Sequence, residues 1–274
     1  MSSNHIEKNT VRNTLYIPLT ARIQVSKRFP DFFYDEISLH LENALPDRSV
    51  EENSSEYTYM ASVCRYQVVD SLVREFIDRN KGCNVINLGA GLETMYYRLS
   101  DRKAHFYEID LPEVIEVREK LLPGSARETL IGHDMFDMGW TADIDTSQPT
   151  IITALGVFQY FEKEKLIKLI SDLKKRFCTA ELVFDAMNGK AIGYANRYVK
   201  KTGNSEAYMP FYIDDPAVFA SEADIALLEE RKFFTDARRD LGKRLKLYTR
   251  IAMKVVDEGS RRGYILRYSL KNNK

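Results

Sequence analysis

The feature of this sequence that most constrains its fold is a short apolar run ending in two closely spaced glycines. Val85 to Leu88 form that run, Gly89-Ala90-Gly91 break it, and Tyr96 to Leu99 have a pattern typical of a helix start. A strand, a tight turn and a helix in this order open a sheet of the nucleotide-binding type. Glycine permits positive φ and lets a ligand approach the backbone. An ordinary strand-to-helix turn is the alternative interpretation.

An acidic residue follows the turn at an informative distance. His105 to Asp110 are predicted to form a second strand, and Asp110 comes 19 positions after Gly91. At an offset of roughly 20 residues an acidic side chain binds ribose hydroxyls in folds of this type. The spacing therefore predicts a cofactor that contains ribose.

The residues after the second glycine indicate which cofactor. A dinucleotide site needs a third glycine three residues later, whereas this chain has Thr94 there and Glu93 beside it. A carboxylate at this place repels a pyrophosphate and favours a cation, such as the sulfonium of S-adenosylmethionine. Alternatively, Glu93 only caps the helix dipole. Either way, the pattern argues against NAD.

Composition limits the remaining function classes. With 274 residues, 44% hydrophobic and 29% charged, the chain suits one sizeable α/β domain or two small ones. Forty basic and forty acidic residues cancel, so no nucleic-acid partner is predicted. Three scattered cysteines predict reduced thiols, and four histidines without ligand spacing predict no metal site. No export segment and no long apolar run are found, which predicts a cytoplasmic protein without a membrane partner.

The region before the first strand is predicted to be helical. Helices are expected over 31–45 and 57–77, and the second has apolar residues at helical spacing from Val69 to Ile77. Arg65 belongs to this second helix. Its guanidinium could hold a cofactor carboxylate in a bidentate pair, or it could be a solvated surface arginine.

Further strands and helices complete the predicted sheet. Because the carboxyl ends of parallel strands line the ligand crevice, Asp134 is placed to accept a hydrogen bond from an adenine amino group. His133 is either a base or a structural turn residue. Phe158 and Phe161 are expected in the core. The predicted elements are strands at 127–131, 149–156 and 181–185 and helices at 112–121 and 163–177.

The last third of the chain departs from the simple alternation of strands and helices. The segment 189–215 interleaves aromatic and basic residues and is interpreted as a lid, with Gly193 and Gly203 as hinges. A pair of surface helices is the alternative. A sixth strand at 227–234, a helix at 240–258 and a last strand at 263–270, at or near the sheet edge, are expected to follow.

Three motifs occurring in one order resemble the leucine carboxyl methyltransferase superfamily. They are Asn87 to Thr94, Tyr107 to Ile115 and Gly156 to Phe161. The branch most similar to this chain is the bacterial polyketide O-methyltransferases of the tetracenomycin type. The resemblance extends from about Tyr57 to Asp185 and weakens towards the end of the chain.

The resemblance implies an α/β fold of the class I methyltransferase (Rossmann-like) type, with a largely parallel seven-stranded sheet. A single domain is expected, with an N-terminal helical cap over 1–80, a cofactor-binding core over 81–187, a lid insertion over 188–225 and a C-terminal strand-helix-strand unit over 226–274. S-adenosylmethionine is the implied cofactor, with Arg65 on its carboxylate, Asp110 on the ribose and Asp134 near adenine. The full set expected to bind it is Arg65, Gly89, Gly91, Glu108, Asp110, Leu111, Asp134, Met135 and Leu155.

The implied reaction is methyl transfer to a hydroxyl or carboxyl of a small molecule. The chain departs from the family pattern at Met95, often arginine, and at Leu155, often acidic. A protein carboxyl methyltransferase and a degenerate cofactor-binding protein therefore remain alternatives. Tyr160 and His133 are the candidates for a general base. The predicted substrate pocket contains Met95, Tyr160, Tyr194, Tyr198 and Tyr208.

Overall fold

The core of the protein is one seven-stranded sheet, found in a computed structural model that describes residues 3–46, 49–99, 103–201 and 208–271. Its strands lie in the order β3-β2-β1-β4-β5-β7-β6. β1 to β5 are parallel, and β7 runs antiparallel to both β5 and β6. The predicted α/β class and largely parallel seven-stranded sheet are confirmed. The strands are β1 (Cys83–Leu88), β2 (Ala104–Asp110), β3 (Glu128–Gly132), β4 (Thr150–Ala154), β5 (Ala180–Met187), β6 (Ala226–Lys232) and β7 (Gly263–Ser269).

Helices cover both faces of this sheet. Successive strand residues point to opposite faces, so Val85 faces the layer of the long N-terminal helices while Ile86 faces the other layer. Among the described residues, no helix is long and apolar enough to cross a membrane. The helices are α1 (Ser3–Arg28), α2 (Glu36–His40), α3 (Ser49–Glu52), α4 (Glu56–Arg79), α5 (Met95–Arg98), α6 (Pro112–Leu121), α7 (Lys163–Arg176), α8 (Gly189–Lys201), α9 (Pro216–Glu222), α10 (Thr235–Asp240) and α11 (Leu247–Glu258).

The helix predicted before the first strand is α4. Ser55 caps its N-terminus by accepting a hydrogen bond of 3.2 Å from the Thr58 backbone N–H. The apolar residues from Val69 to Ile77 are buried against the sheet, as their periodicity predicted. α4 also packs against α1, which lies within the predicted N-terminal helical cap but was not predicted as an individual helix.

Two predicted helices differ from the structure. The helix expected over 31–45 is only α2 and a 3-10 turn, Leu41–Ala44. The helix expected over 240–258 is interrupted between Asp240 and Leu247, where α10 ends and α11 begins. β7 lies between β5 and the edge strand β6, so it is near the sheet edge as predicted, and both its faces are buried.

Candidate functional site

A cavity of about 350 Å³ opens at the carboxyl ends of β1, β2 and β4. This is the edge at which open parallel sheets bind ligands. Residues from the turn after β1, from α1, from α4 and from the loop after β4 form its walls. Its lining includes Leu15, Ile17, Arg65, Asn87, Gly89, Gly91, Glu93, Met95, Asp110, Leu155, Gln159, Tyr160 and Phe161.

The glycine turn forms the floor of this cavity. Gly89 has φ of +66°, and a Cβ there would lie 2.5 Å from Cγ2 of Val157. Only glycine fits without displacing that side chain. Gly91 has φ of +50°, and its N–H donates a 2.7 Å hydrogen bond to Oδ2 of Asp110. The pair that the sequence separates by 19 positions is therefore in direct contact.

Asp110 connects this cavity to a second one. Its other oxygen, Oδ1, accepts a 2.7 Å hydrogen bond from the N–H of Leu111. Burial raises the pKa of Asp110, although the two N–H donors oppose that rise. Since each carboxylate oxygen has a second lone pair, both oxygens can still accept from a diol. Gly89, Asp110, Val157 and Phe161 line both cavities.

Arg65 lies in the cavity wall and is held by a carboxylate. Its Nη1 is 2.5 Å from Oδ2 of Asp185, whose Oδ1 accepts a 2.6 Å hydrogen bond from the N–H of Gly156. Burial opposes the charge of Arg65, but Asp185 outweighs it and the pKa of Arg65 is raised. The alternative of a solvated surface arginine does not describe this site, because the side chain is 22% exposed and ion-paired.

A buried charge cluster lies behind the glycine turn. Two guanidiniums, of Arg22 and Arg98, face three carboxylates, of Asp35, Asp70 and Glu93. Arg22 also donates a 2.5 Å hydrogen bond to the carbonyl oxygen of Leu92 in the turn. If all five ionise, the cluster carries one excess negative charge. Burial raises the pKa of Asp70, although the Arg98 guanidinium opposes that rise.

Glu93 lies in the cavity wall shortly before α5. It lines the cavity, and its Oε1 accepts a hydrogen bond of 2.8 Å from the N–H of Thr94, the residue that precedes α5. The same oxygen is 2.8 Å from Nη2 of Arg98. Burial opposes its ionisation, but Arg98 and Arg22 hold the pKa of Glu93 below its usual range.

Glu108, predicted to bind the cofactor, lies elsewhere. It is fully buried, lines neither cavity, and accepts hydrogen bonds of 2.9 and 3.0 Å from Nδ2 of Asn87. Arg118 lies 3.6 Å from it, pairs with Glu128, and donates to the carbonyl oxygen of Gly91. The prediction of direct contact therefore has no support from the geometry, since this carboxylate supports the floor from below. Burial raises the pKa of Glu108 to about 7.

The second cavity, of about 320 Å³, contains the predicted adenine-side residues. Leu111, Asp134 and Met135 line it, and Oδ1 of Asp134 accepts a 3.0 Å hydrogen bond from the N–H of Phe136. His133 also lines it, with Nδ1 donating to the carbonyl oxygen of Asp134 at 3.1 Å. His133 is therefore part of a turn on this side of Asp110. Among the described residues, no three His, Cys, Asp or Glu side chains could hold a metal ion.

The predicted substrate residues are only partly brought together. Met95 and Tyr160 both line the first cavity, Met95 fully buried and Tyr160 45% exposed. Tyr194 and Tyr208 are exposed and line neither of the two cavities, and the ring of Tyr194 packs under the guanidinium of Arg261. The side chain of Tyr198 lies outside the described residues, as does Gly203. Phe158 is buried as predicted, whereas Phe161 is half-buried and lines both cavities.

Sequence reasoning missed the contribution of α1. Leu15, Ile17 and Pro18 line the cavity, and Arg22 anchors the helix beneath it. Residues 19–26 are buried at almost every position, so no one-sided periodicity marks this helix. Proline inside the segment further weakens the helical signal.

A related sequence and related structures match this chain. A tetracenomycin polyketide synthesis O-methyltransferase, TcmP, from Streptomyces glaucescens is 22% identical over 124 residues, covering 45% of this chain and 46% of that protein. The chain thus aligns with just under half of this curated relative's length. The mycolic acid cyclopropane synthase CmaA1 matches with TM-score 0.52 at 10% identity, over 92% of this chain and 97% of that one. A Bacillus halodurans C-125 protein assigned as a methyltransferase matches with TM-score 0.50 at 13% identity, over 74% and 99%.

The structural matches show a shared fold, and the family follows from the sequence. The family model for leucine carboxyl methyltransferase matches residues 20–174, more than half of the chain. That range includes Arg65, the glycine turn and Asp110, three features that meet at the first cavity. This chain belongs to the leucine carboxyl methyltransferase family.

Proposed function

We propose that this protein is an S-adenosylmethionine-dependent methyltransferase that methylates a hydroxyl or carboxyl oxygen of a small molecule. The observation that carries the proposal is the convergence of Arg65, the Gly89 to Gly91 turn and Asp110 on one cavity at the carboxyl edge of the sheet. Family membership supports the cofactor, and the name of the Streptomyces relative supports oxygen as the acceptor atom.

The residues present fit S-adenosylmethionine. Arg65 would hold the cofactor carboxylate by charge-assisted hydrogen bonds, and Asp110 would accept from the ribose hydroxyls. The positive-φ turn at Gly89 and Gly91 lines the cavity, where a ligand can approach its backbone closely. Leu111, Asp134 and Met135 would surround the adenine. When bound, the cofactor supplies an electrophilic methyl group on a positively charged sulfur.

The chain's own contribution is positioning and exclusion of water. Orienting an acceptor oxygen in line with the methyl carbon supplies several kcal/mol of acceleration, on the order of 7 kcal/mol in favourable cases. Apolar side chains of Leu15, Ile17, Met95 and Leu155 limit water in the cavity. A carboxylate acceptor needs no base, whereas a phenol would require one, and Tyr160 is the candidate inside this cavity.

Calorimetric titration with S-adenosylmethionine and S-adenosylhomocysteine tests the cofactor. We expect micromolar binding by the wild type and loss of at least about tenfold in affinity for Arg65→Ala and for Asp110→Asn, a change of about 1.4 kcal/mol each. Two control variants, Lys120→Ala and Asp143→Asn, alter exposed residues outside the cavities and should bind S-adenosylmethionine like the wild type. No binding by folded wild-type protein would overturn the proposal.

Methyl labelling with aromatic phenols and carboxylic acids then tests the acceptor class. Labelled protein in a lysate, without a labelled small molecule, would favour the protein carboxyl methyltransferase. Tight cofactor binding without any labelled product would favour the degenerate binding protein, an alternative consistent with apolar Met95 and Leu155 in the cavity wall.

A further inference from the structure

One face of α11 exposes apolar side chains on the opposite side from the sheet. Leu247, Tyr248, Ile251 and Val255 are 66%, 69%, 55% and 44% exposed. At 100° per residue these four fall within one sector of the helix, while Thr249 and Met253, on the other side, are buried. We call these four exposed residues the α11 face. Large apolar side chains grouped in this way mark an interaction surface more often than isolated ones do.

Basic residues surround the α11 face. From Leu241 to Val256 the sequence has five lysines or arginines and no acidic residue. Arg244 pairs with Asp31, and Lys254 lies 3.9 Å from Glu258. The remaining three, Lys243, Lys246 and Arg250, are exposed, and no ion pair with another described residue is found for them.

The positive charge extends beyond this helix. Residues 226–274 contain fourteen lysines or arginines and six acidic residues, a formal charge of +8 in a chain whose total is zero. Charge asymmetry along a neutral chain favours an anionic partner. Two of these arginines, Arg231 on β6 and Arg267 on β7, are already paired with Glu75 and Glu181. The neutral total, from which no nucleic-acid partner was predicted, conceals this separation.

A shallow concavity of about 270 Å³ is lined by both basic residues and residues of the α11 face. Arg238, Arg250 and Lys254 line it together with Leu247 and Ile251. Arg238 is engaged by Glu258, which leaves Arg250 as the guanidinium available to an anion there. A ligand that combines a phosphate with an adjacent apolar part matches this arrangement.

We propose that the α11 face docks on an anionic phospholipid surface. Basic residues beside an exposed apolar helix face bind lipid headgroups while the aliphatic side chains enter the interface. A second copy of the chain is a poorer occupant, because a two-fold contact would bring the same basic residues together. Nucleic acid is also a poorer occupant, since Leu247, Ile251 and Val255 offer no hydrogen bond to its backbone.

Vesicle co-sedimentation of the full chain tests this proposal. We expect binding to phosphatidylcholine vesicles containing about one third phosphatidylserine, weak binding to pure phosphatidylcholine, and loss of binding as salt is raised to about 0.5 M. Leu247→Ser/Ile251→Ser and Lys246→Glu/Arg250→Glu should each lower the partition coefficient at least about tenfold. Because all four side chains are exposed, far-UV circular dichroism and the Tm should stay close to those of the wild type.

Matched variants elsewhere serve as controls. Leu228→Ser removes an apolar side chain that is 49% exposed on β6, and Lys120→Glu reverses an exposed charge on α6. Both should bind vesicles like the wild type. Equal binding to neutral and anionic vesicles, or equal loss in the controls, would overturn the proposal. A wild-type dimer in sedimentation that Leu247→Ser/Ile251→Ser dissociates would also overturn it, in favour of a second copy on this face.

Discussion

Nη1 of Arg65 lies 2.5 Å from Oδ2 of Asp185, and the two residues are 120 positions apart. Asp185 also accepts the N–H of Gly156 through its other oxygen. One carboxylate at the end of β5 thus connects α4 with the turn after β4. The residue expected to bind the cofactor carboxylate is therefore positioned by an ion pair within the cavity wall.

The first prediction concerns this ion pair. Asp185→Ala should lower the free energy of unfolding by about 1–3 kcal/mol, because it leaves the Arg65 side chain, 22% exposed in the cavity wall, without its partner. Asp185→Asn should lower the free energy of unfolding by less, since its amide oxygen can still accept the hydrogen bond from the N–H of Gly156. Urea unfolding of both variants measures the difference. Equal losses would show that the negative charge of Asp185, and not its hydrogen bond to Gly156, stabilises this wall.

The second prediction concerns the close approach at Gly89. Gly89→Ala combines positive φ with a Cβ 2.5 Å from Val157, so it should reduce stability by about 1–3 kcal/mol. Val157→Ala should recover part of that loss in the double variant, because it removes the contacting methyl groups. Gly124→Ala is the control, since a Cβ there has no atom within 4 Å. Additive losses in the double variant would contradict the steric explanation.

The third prediction concerns Tyr160. If its phenol assists a phenolic acceptor, Tyr160→Phe should lower kcat by about 10² or more while the Kd for S-adenosylmethionine stays near the wild-type value. The side chain is 45% exposed, so the fold should tolerate the change. His133→Asn, in the other cavity, should leave kcat within about threefold of the wild type. A larger loss for His133→Asn than for Tyr160→Phe would reverse the two candidate roles.

The sequence predicted the parts of the fold that depend on local pattern. The run from Val85 to Leu88, the two glycines and Asp110 mark a strand, a turn and a second strand end, and each lies where the pattern indicated. The reason is physical, since a strand buried on both faces and a positive-φ turn each restrict residue type at a few neighbouring positions.

Features that depend on distant partners could not be predicted in this way. Arg22 can be buried because it donates hydrogen bonds to Ser38 and to the carbonyl oxygen of Leu92, and forms an ion pair with Asp35. No local sequence pattern identifies these partners. Glu108 was expected in the cofactor site from the family resemblance. Strand alternation puts Glu108 on the same face as Asp110, but Glu108 lies two residues before the carboxyl end of β2, where it contacts Asn87 and Arg118 and does not line either cavity.

The last prediction concerns the pH dependence that Glu108 gives to stability. Its pKa of about 7 in the folded state exceeds the value near 4.5 of an exposed glutamate, so the folded state binds more protons between these two pH values. Its stabilising contribution is complete below about pH 4.5 and is lost as pH rises towards 7.

The variant Glu108→Gln serves as the reference, because a glutamine side chain cannot titrate. The free energy of unfolding of the wild type minus that of Glu108→Gln should therefore fall by about 2 kcal/mol between pH 5 and pH 8. Chemical unfolding of both proteins at several pH values gives this difference, and a difference that is constant or rises with pH would show that Glu108 is already ionised in the folded protein at pH 5.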